Sequence, residues 1–130
     1  MTQWVTFQEG QYIVERAFLT TPAGSAIPVE EAVLEVYEGP GGRRYLRGWG
    51  MIYPQGMVNL MDETETLDLL LDLGGAFKYR LSAPELSSGK VFSPAVRSLM
   101  RFYPSRPWEA LERDDFEAAV EGLTVIDAAG

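Results

Sequence analysis

The run from Arg43 to Ile52 constrains the fold more than any other stretch of the chain. Alternate positions sort into two sets: Tyr45, Arg47, Trp49 and Met51 on one side, Leu46, Gly48, Gly50 and Ile52 on the other. A period of two marks a strand, whose side chains point to opposite faces in turn. One face is then large, aromatic and cationic. The other carries two glycines, where a second backbone or a ring can approach closely. Gly39-Pro-Gly-Gly42 lies just before this run, and Ala32 to Glu38 before that. Val29, Val33, Val36 and Tyr37 would also line a helix after Pro28. The Gly/Pro turn favours a hairpin instead, with Glu38 near Arg43 and Val36 near Tyr45 across the pair.

The neighbouring segments extend this pattern. Trp4 to Phe7 and Gln11 to Thr20 are rich in β-branched and aromatic residues, and Glu9-Gly10 between them fits a tight turn. In the second run Tyr12, Val14 and Arg16 would share one face, and Ile13, Glu15 and Ala17 the other. Thr21 to Pro28 reads as a loop. Tyr53-Pro54-Gln55-Gly56 has the residues of a type I turn, which makes Met57 to Met61 a returning strand. Asp62 can cap a helix with Glu65 as its capping-box partner, Leu67, Leu70 and Leu71 as its inward face and Gly74-Gly75 as its end. Ala76 to Ser82 reads as a strand, with Phe77, Tyr79 and Leu81 opposite Lys78 and Arg80. After a loop over Ala83 to Gly89, Ser93-Pro94 resembles a helix start. Val96, Leu99, Met100 and Tyr103 follow at helical spacing, with Arg97 and Arg101 on the other face. A last helix begins at Pro107, can divide at Asp114-Asp115 because Asp caps readily, and ends at Gly122, before a short strand over Thr124 to Ile126. The expected fold is one α+β domain over residues 1–130. Its antiparallel sheet of five to six strands would form a meander of hairpins in the N-terminal part, packed by two or three helices mostly from the C-terminal part.

The chain of 130 residues has no Cys and no His. That excludes disulfides, thiol chemistry, Ser-His-Asp and Cys-His nucleophile systems, and zinc sites built on imidazole or thiolate. A chain of this length buries about two-thirds of its unfolded surface, enough for a core without such staples. No apolar run is long enough to span a membrane. Met1-Thr2-Gln3-Trp4 lacks the basic and apolar regions of a secretory signal, so a cytoplasmic protein is expected. No cofactor and no metal are expected.

The net charge of −8 is unevenly laid out. Residues 1–60 carry −2, residues 61–75 carry −5, residues 76–107 carry +5 and residues 108–130 carry −6. Charge blocks of this kind usually form solvated faces that neutralise one another. They can also set a basic site on an acidic body. Overall acidity argues against duplex DNA as a partner.

Three constellations bear on chemistry. Ser87-Ser-Gly-Lys90 is like the end of a phosphate-binding loop, but Ala83 stands where the first glycine belongs, Pro84 lacks an N–H and Val91 replaces the metal-binding hydroxyl. An ordinary loop is the plainer account, with a weak anion site at Lys90 and the Ser93 helix start as the sharper one. Asp62, Glu63 and Glu65, and Glu112, Asp114, Asp115 and Glu117, are acidic clusters without the spacing of a calcium loop. They read as solvated or capping carboxylates. The third constellation is the strand aromatics with Arg43, Arg44, Arg47, Lys78 and Arg80 interleaved. Most such rings belong in a core. An Arg between two rings, as in Tyr45-Arg47-Trp49, instead suits a protein-docking hot spot or a stacking platform for single strands. Arg97, Arg101 and Arg106 would bind an acidic partner or, more simply, pair with the acidic last helix.

These features point to a non-catalytic module that docks on a protein and modulates it. It would use Tyr45, Arg47 and Trp49, with Arg43 and Arg44, or the Arg97/Arg101 face. Its acidic bulk suits a basic partner surface, such as that of a nucleic-acid enzyme. Two alternatives remain open. One is a small-ligand or enzyme domain whose chemistry falls to carboxylates, Tyr, Lys or Arg. The other is single-stranded nucleic-acid binding through the aromatic sheet face.

Overall fold

The computed structural model describes residues 8–88, 96–105 and 108–126. In chain order it has β1 (Gly10–Ile13), β2 (Arg16–Thr20), β3 (Ser25–Pro28), β4 (Glu30–Glu38), β5 (Arg44–Ile52), α1 (Pro54–Glu63), β6 (Asp68–Asp72), β7 (Lys78–Leu81), β8 (Glu85–Ser88), β9 (Ser98–Tyr103), β10 (Glu109–Ala110), α2 (Arg113–Glu121) and β11 (Thr124–Val125). The first sheet runs β1-β4-β5-β9-β8 and is antiparallel throughout. The second runs β10-β7-β6-β2-β3-β11, with β3 and β11 as its parallel pair. The inner faces share one core. Leu34, Val36, Leu46, Met100 and Phe102 of the first sheet join Leu19, Ile27, Leu69, Leu71 and Leu81 of the second.

At two places the chain passes between sheets within one or two residues. The Val14 N–H donates to Ala32 O of the first sheet at 3.0 Å, and the next N–H, of Glu15, donates to Asp72 O of the second at 2.7 Å. Gln11 to Thr20 is therefore two strands in two sheets, not one. Val14 and Ala17 are both buried because the faces are reset at the break. The same handover occurs after β3, where Val29 N–H donates to Ala17 O at 2.8 Å before β4 begins.

The α+β class holds, but a single meander packed by C-terminal helices does not. There are two sheets, and α1 lies mid-chain, directing Leu60 into the core. Pro54 opens α1 at a position whose N–H has no helical partner, so the residue expected to make a turn starts a helix. The helix expected from Asp62 to Gly75 is instead the last turn of α1 followed by β6. Leu69, Leu70 and Leu71 are all buried, since both faces of β6 are covered, and a strand covered on both faces shows no alternation. The helix expected through Val96 to Tyr103 is β9. Met100 and Phe102 enter the core while Leu99, Arg101 and Tyr103 point outward. Within the expected loops, Ser25–Pro28 and Glu85–Ser88 are strands. The expected final helix is reduced to α2, preceded by β10 and closed at Gly122. The strand expected at Trp4 to Phe7 and the helix starts at Ser93 and Pro107 lie outside the described residues.

The β4–β5 hairpin forms one residue away from the expected register. Glu38 opposes Arg44, Tyr37 opposes Tyr45 and Val36 opposes Leu46. Burial selects this pairing, because it puts Val36 and Leu46 together inside, whereas a slip of one would set a core residue beside an exposed one. On the inner side the two glycines of β5 make room for neighbours. A Cβ at Gly48 would lie 2.2 Å from the Phe102 ring, and one at Gly50 would lie 2.4 Å from the Val29 side chain.

Candidate functional site

The outer face of the first sheet collects the exposed aromatic and cationic residues of β4, β5 and β9. Cross-strand register arranges them in rows. Val33, Trp49 and Arg101 lie abreast, with Ile13 on one flank and Ser87 on the other. Gln11, Glu35 and Arg47 form the next row, and Tyr37 and Tyr45 the one beyond. Met51 and Leu99 lie abreast on the opposite side. A groove of about 510 Å³ crosses this face, lined by Glu35, Arg47, Gly48, Trp49, Leu99, Arg101 and Tyr103. Trp49 is half-buried, while Tyr45, Leu99 and Tyr103 are 37%, 41% and 37% exposed.

The two arginines of the groove are in different electrical states. Arg47 donates from Nε to Glu35 Oε1 at 2.6 Å, and its guanidinium lies 4.4 Å from the centre of the Tyr37 ring. Tyr37 stacks on Tyr45 in turn, with centroids 5.9 Å apart. The Arg47 hydrogen bond, helped by one from Gln11, holds the Glu35 carboxyl below its usual range. Arg47 is thus neutralised and fixed in orientation. Arg101 makes no ion pair or hydrogen bond among the described residues. It is exposed and faces Trp49 across the β5–β9 pair.

The structure brings together Tyr45, Arg47, Trp49 and Arg101 of the expected binding residues. It does not bring in the others. Arg43 lies in the turn before β5, and Arg44 alternates to the side opposite Tyr45, across from Glu38. Arg97 faces Glu30 and Glu31 at 3.7 and 3.5 Å. No described arginine of residues 97–101 pairs with the last helix, whose Glu117 meets Arg16 instead. Lys90, Ser93 and Arg106 lie outside the described residues. Sequence reasoning missed Glu35, Leu99 and Tyr103. The available signal was parity: read as a strand, Leu99, Arg101 and Tyr103 share a face, and the odd residues of β4 then join the odd residues of β5.

A second charged cluster lies on the outer side of the second sheet. Asp72 accepts from Lys78 Nζ at 3.0 Å, from Arg16 Nε at 2.9 Å and from the Gly74 N–H at 2.8 Å. Arg16 also pairs with Glu117 of α2. Both cations stand over the Phe116 ring, at 5.4 Å for Arg16 and 5.7 Å for Lys78. Burial is the largest single influence on Asp72 and pushes its pKa up. The three donors together outweigh it and hold the carboxyl below its ordinary value. Hydrogen bonds to Glu117 and then Asp72 push the Arg16 pKa up in the same way. Lys78, on the strand face opposite Tyr79 and Leu81, is 4% exposed because α2 covers it. The two cations and two carboxylates cancel, and no buried side-chain polar atom among the described residues lacks a partner. This cluster fastens α2 to the sheet.

Among the described residues no group of acidic side chains is arranged to hold a metal ion. Glu35 is the one carboxylate lining the groove, so a two-carboxylate mechanism finds no pair there among the described residues. No described helix is long and apolar enough to cross a membrane. In comparisons with known proteins, no family model, no curated protein and no solved structure matches the chain.

Proposed function

We propose that this chain is a non-catalytic protein-interaction module that docks on a partner protein through the outer face of its first sheet. The observation that carries this reading is the row of half-buried Trp49 and exposed Arg101 beside Arg47, Tyr37 and Tyr45, over which no described element packs. Trp, Tyr and Arg are the residues in which docking energy concentrates. Here they lie on rigid strands, so little conformational entropy is lost on contact. The acidic bulk of the chain, net −8, steers it toward a partner whose surface around the contact is basic.

Charge on the face favours protein over single-stranded nucleic acid. The outward positions of β4, β8, β5 and β9 carry Glu35 and Glu85 as well as Arg47 and Arg101, so the face has no surplus of cations even though Arg101 itself is unpaired among the described residues. A strand-binding groove needs a surplus of cations along its length.

Site-specific photo-cross-linking tests the reading. A photoreactive residue at position 45 or 99 should give partner adducts in lysate of the source organism. One at position 118, on exposed α2, should not, and Trp49→Ala should abolish the adducts. Equal adducts from both positions, or none from the sheet, would overturn the proposal.

A further inference from the structure

We infer that Arg101 is the anchor of this face and that it takes a carboxylate carried on an extended, otherwise apolar segment of the partner. The inference rests on the docking reading and adds the chemistry of what is docked. Of the two cations in the groove, Arg47 already has its counter-charge in Glu35 and its ring in Tyr37. Arg101 has neither among the described residues, so it is the cation left to be satisfied. Its neighbours are apolar or neutral. Trp49 lies directly across on β5, and Leu99 and Tyr103 lie two residues away on the same face of β9. Ser87, its register partner on β8, is exposed and carries no charge. Glu85 is only a diagonal neighbour, opposite Tyr103.

A planar guanidinium without a counter-charge matches a carboxylate, which accepts two parallel N–H bonds from it. The walls of Trp49, Leu99 and Tyr103 shield that pair from water, which strengthens it. They also require apolar side chains next to the carboxylate. Among the described residues the groove crosses β5 and β9 as an open trough, so it admits an extended segment and does not enclose a free small acid. The partner surface that fits is basic at its rim, to suit the acidic body, with one acidic residue among apolar ones at its centre.

The test uses the full chain and a phage-displayed library of random twelve-residue peptides. Panning on the wild type should enrich peptides with Asp or Glu flanked by apolar residues. For the best of them, changing the carboxylate to its amide and changing Arg101→Gln should each weaken binding roughly thirtyfold. The two changes together should cost little more than either alone, the mark of one shared contact. Arg101→Lys should restore part of the affinity, since it keeps the charge and loses the fork. Arg101→Glu should re-select peptides with Lys or Arg in place of the acid. Arg101 is exposed, so these variants should melt with the wild type, and a melt of each confirms it.

Enriched peptides that need Trp49 but neither Arg101 nor a carboxylate would overturn the anchor and leave docking on this face intact. A library with no Trp49-dependent peptide would also overturn it, while the cross-linking outcome would still decide the docking reading. Salt-sensitive binding of an oligothymidylate that is lost in Arg101→Gln would overturn it in favour of nucleic acid.

Discussion

The two sheets of this protein each have an outer face with aromatic rings and charges, and the two faces have opposite fates. On the second sheet α2 lies across the strands. Phe116 is fully buried there, and Arg16, Asp72, Lys78 and Glu117 answer one another's charges. On the first sheet no described helix lies across β4, β5 and β9. Trp49 is half-buried, and Arg101 has no counter-charge among the described residues. Aromatic and cationic composition is therefore no guide to function by itself. Arg16 and Lys78 over Phe116 are a fastening, whereas Arg101 beside Trp49 is exposed and has no charged partner among the described residues.

The largest expected effects break the covered face. Phe116→Ala removes a fully buried ring and should cost about 3–5 kcal/mol. Trp49→Ala, the matching truncation on the other sheet, should cost about 1 kcal/mol and act mainly on docking. Urea unfolding of both variants checks the contrast, and equal losses would mean that the first face is as much a part of the core as the second. Asp72→Ala should also cost about 3–5 kcal/mol, because Lys78 stays buried without its carboxylate.

The same carboxylate gives the covered face a pH signature. Asp72 has a folded pKa below its unfolded value, so its ionised form binds protons less readily in the native state. Its stabilisation is fully present above the unfolded pKa of about 3.9 and is lost as pH falls through the lower folded value. Urea midpoints for the wild type and Asp72→Asn should therefore differ most near neutral pH. They should draw together as pH drops through about 4 toward 2. A gap that stays constant over that range would show that Asp72 acts by shape and not by charge.

A smaller effect tests the inner side of the exposed sheet. Gly48→Ala would bring a Cβ to 2.2 Å from the Phe102 ring, which packs in the core. The ring must move, at about 1–3 kcal/mol. Trp49, Arg47 and Arg101 neighbour this pair, so the melt should shift and the peptide affinity should fall with it.

What the sequence revealed follows from how each strand is covered. β5 was legible because its two faces differ in kind, large residues outside and small or aliphatic ones inside. Its outward set, Tyr45, Arg47 and Trp49, could be named in advance. β4 was compatible with a helix as well, and only the Gly39–Gly42 turn after it tipped the reading to a strand, while Gly122 marked the end of α2. β6 was not, because Leu70 is buried on the side that carries α2 while Leu69 and Leu71 are buried on the other. β9 was hidden by its own outward face. Leu99 and Tyr103 are outward apolar residues beside the inward Met100 and Phe102, so the run matches a helix as well as a strand. The missing half of the site thus disappeared from the pattern because an exposed apolar face breaks the alternation that reveals a strand. Glu35 was missed for another reason. A register error of one residue separates it from Arg47.

That ion pair supports the smallest prediction. Glu35 has an effect on the face beyond holding Arg47, since it removes a cation from a surface that otherwise carries aromatic rings and two arginines. Glu35→Gln keeps the shape and the exposure of the site, and its melt should coincide with that of the wild type. Arg47 would then be uncompensated beside Tyr37, and Arg101 would be so beside Trp49. Two free cations with stacking rings are the beginnings of a single-strand platform. Weak binding of an oligothymidylate should therefore appear in the variant and not in the wild type. It should fall with salt at a logarithmic slope of about −1.4, the value for two phosphate contacts. Binding by both proteins would mean that Glu35 does not exclude nucleic acid, and the charge argument for a protein partner would lose its footing. Binding by neither would mean that the rings of this face are not open to stacking, which returns the question to Trp49 and how much of it a partner can reach.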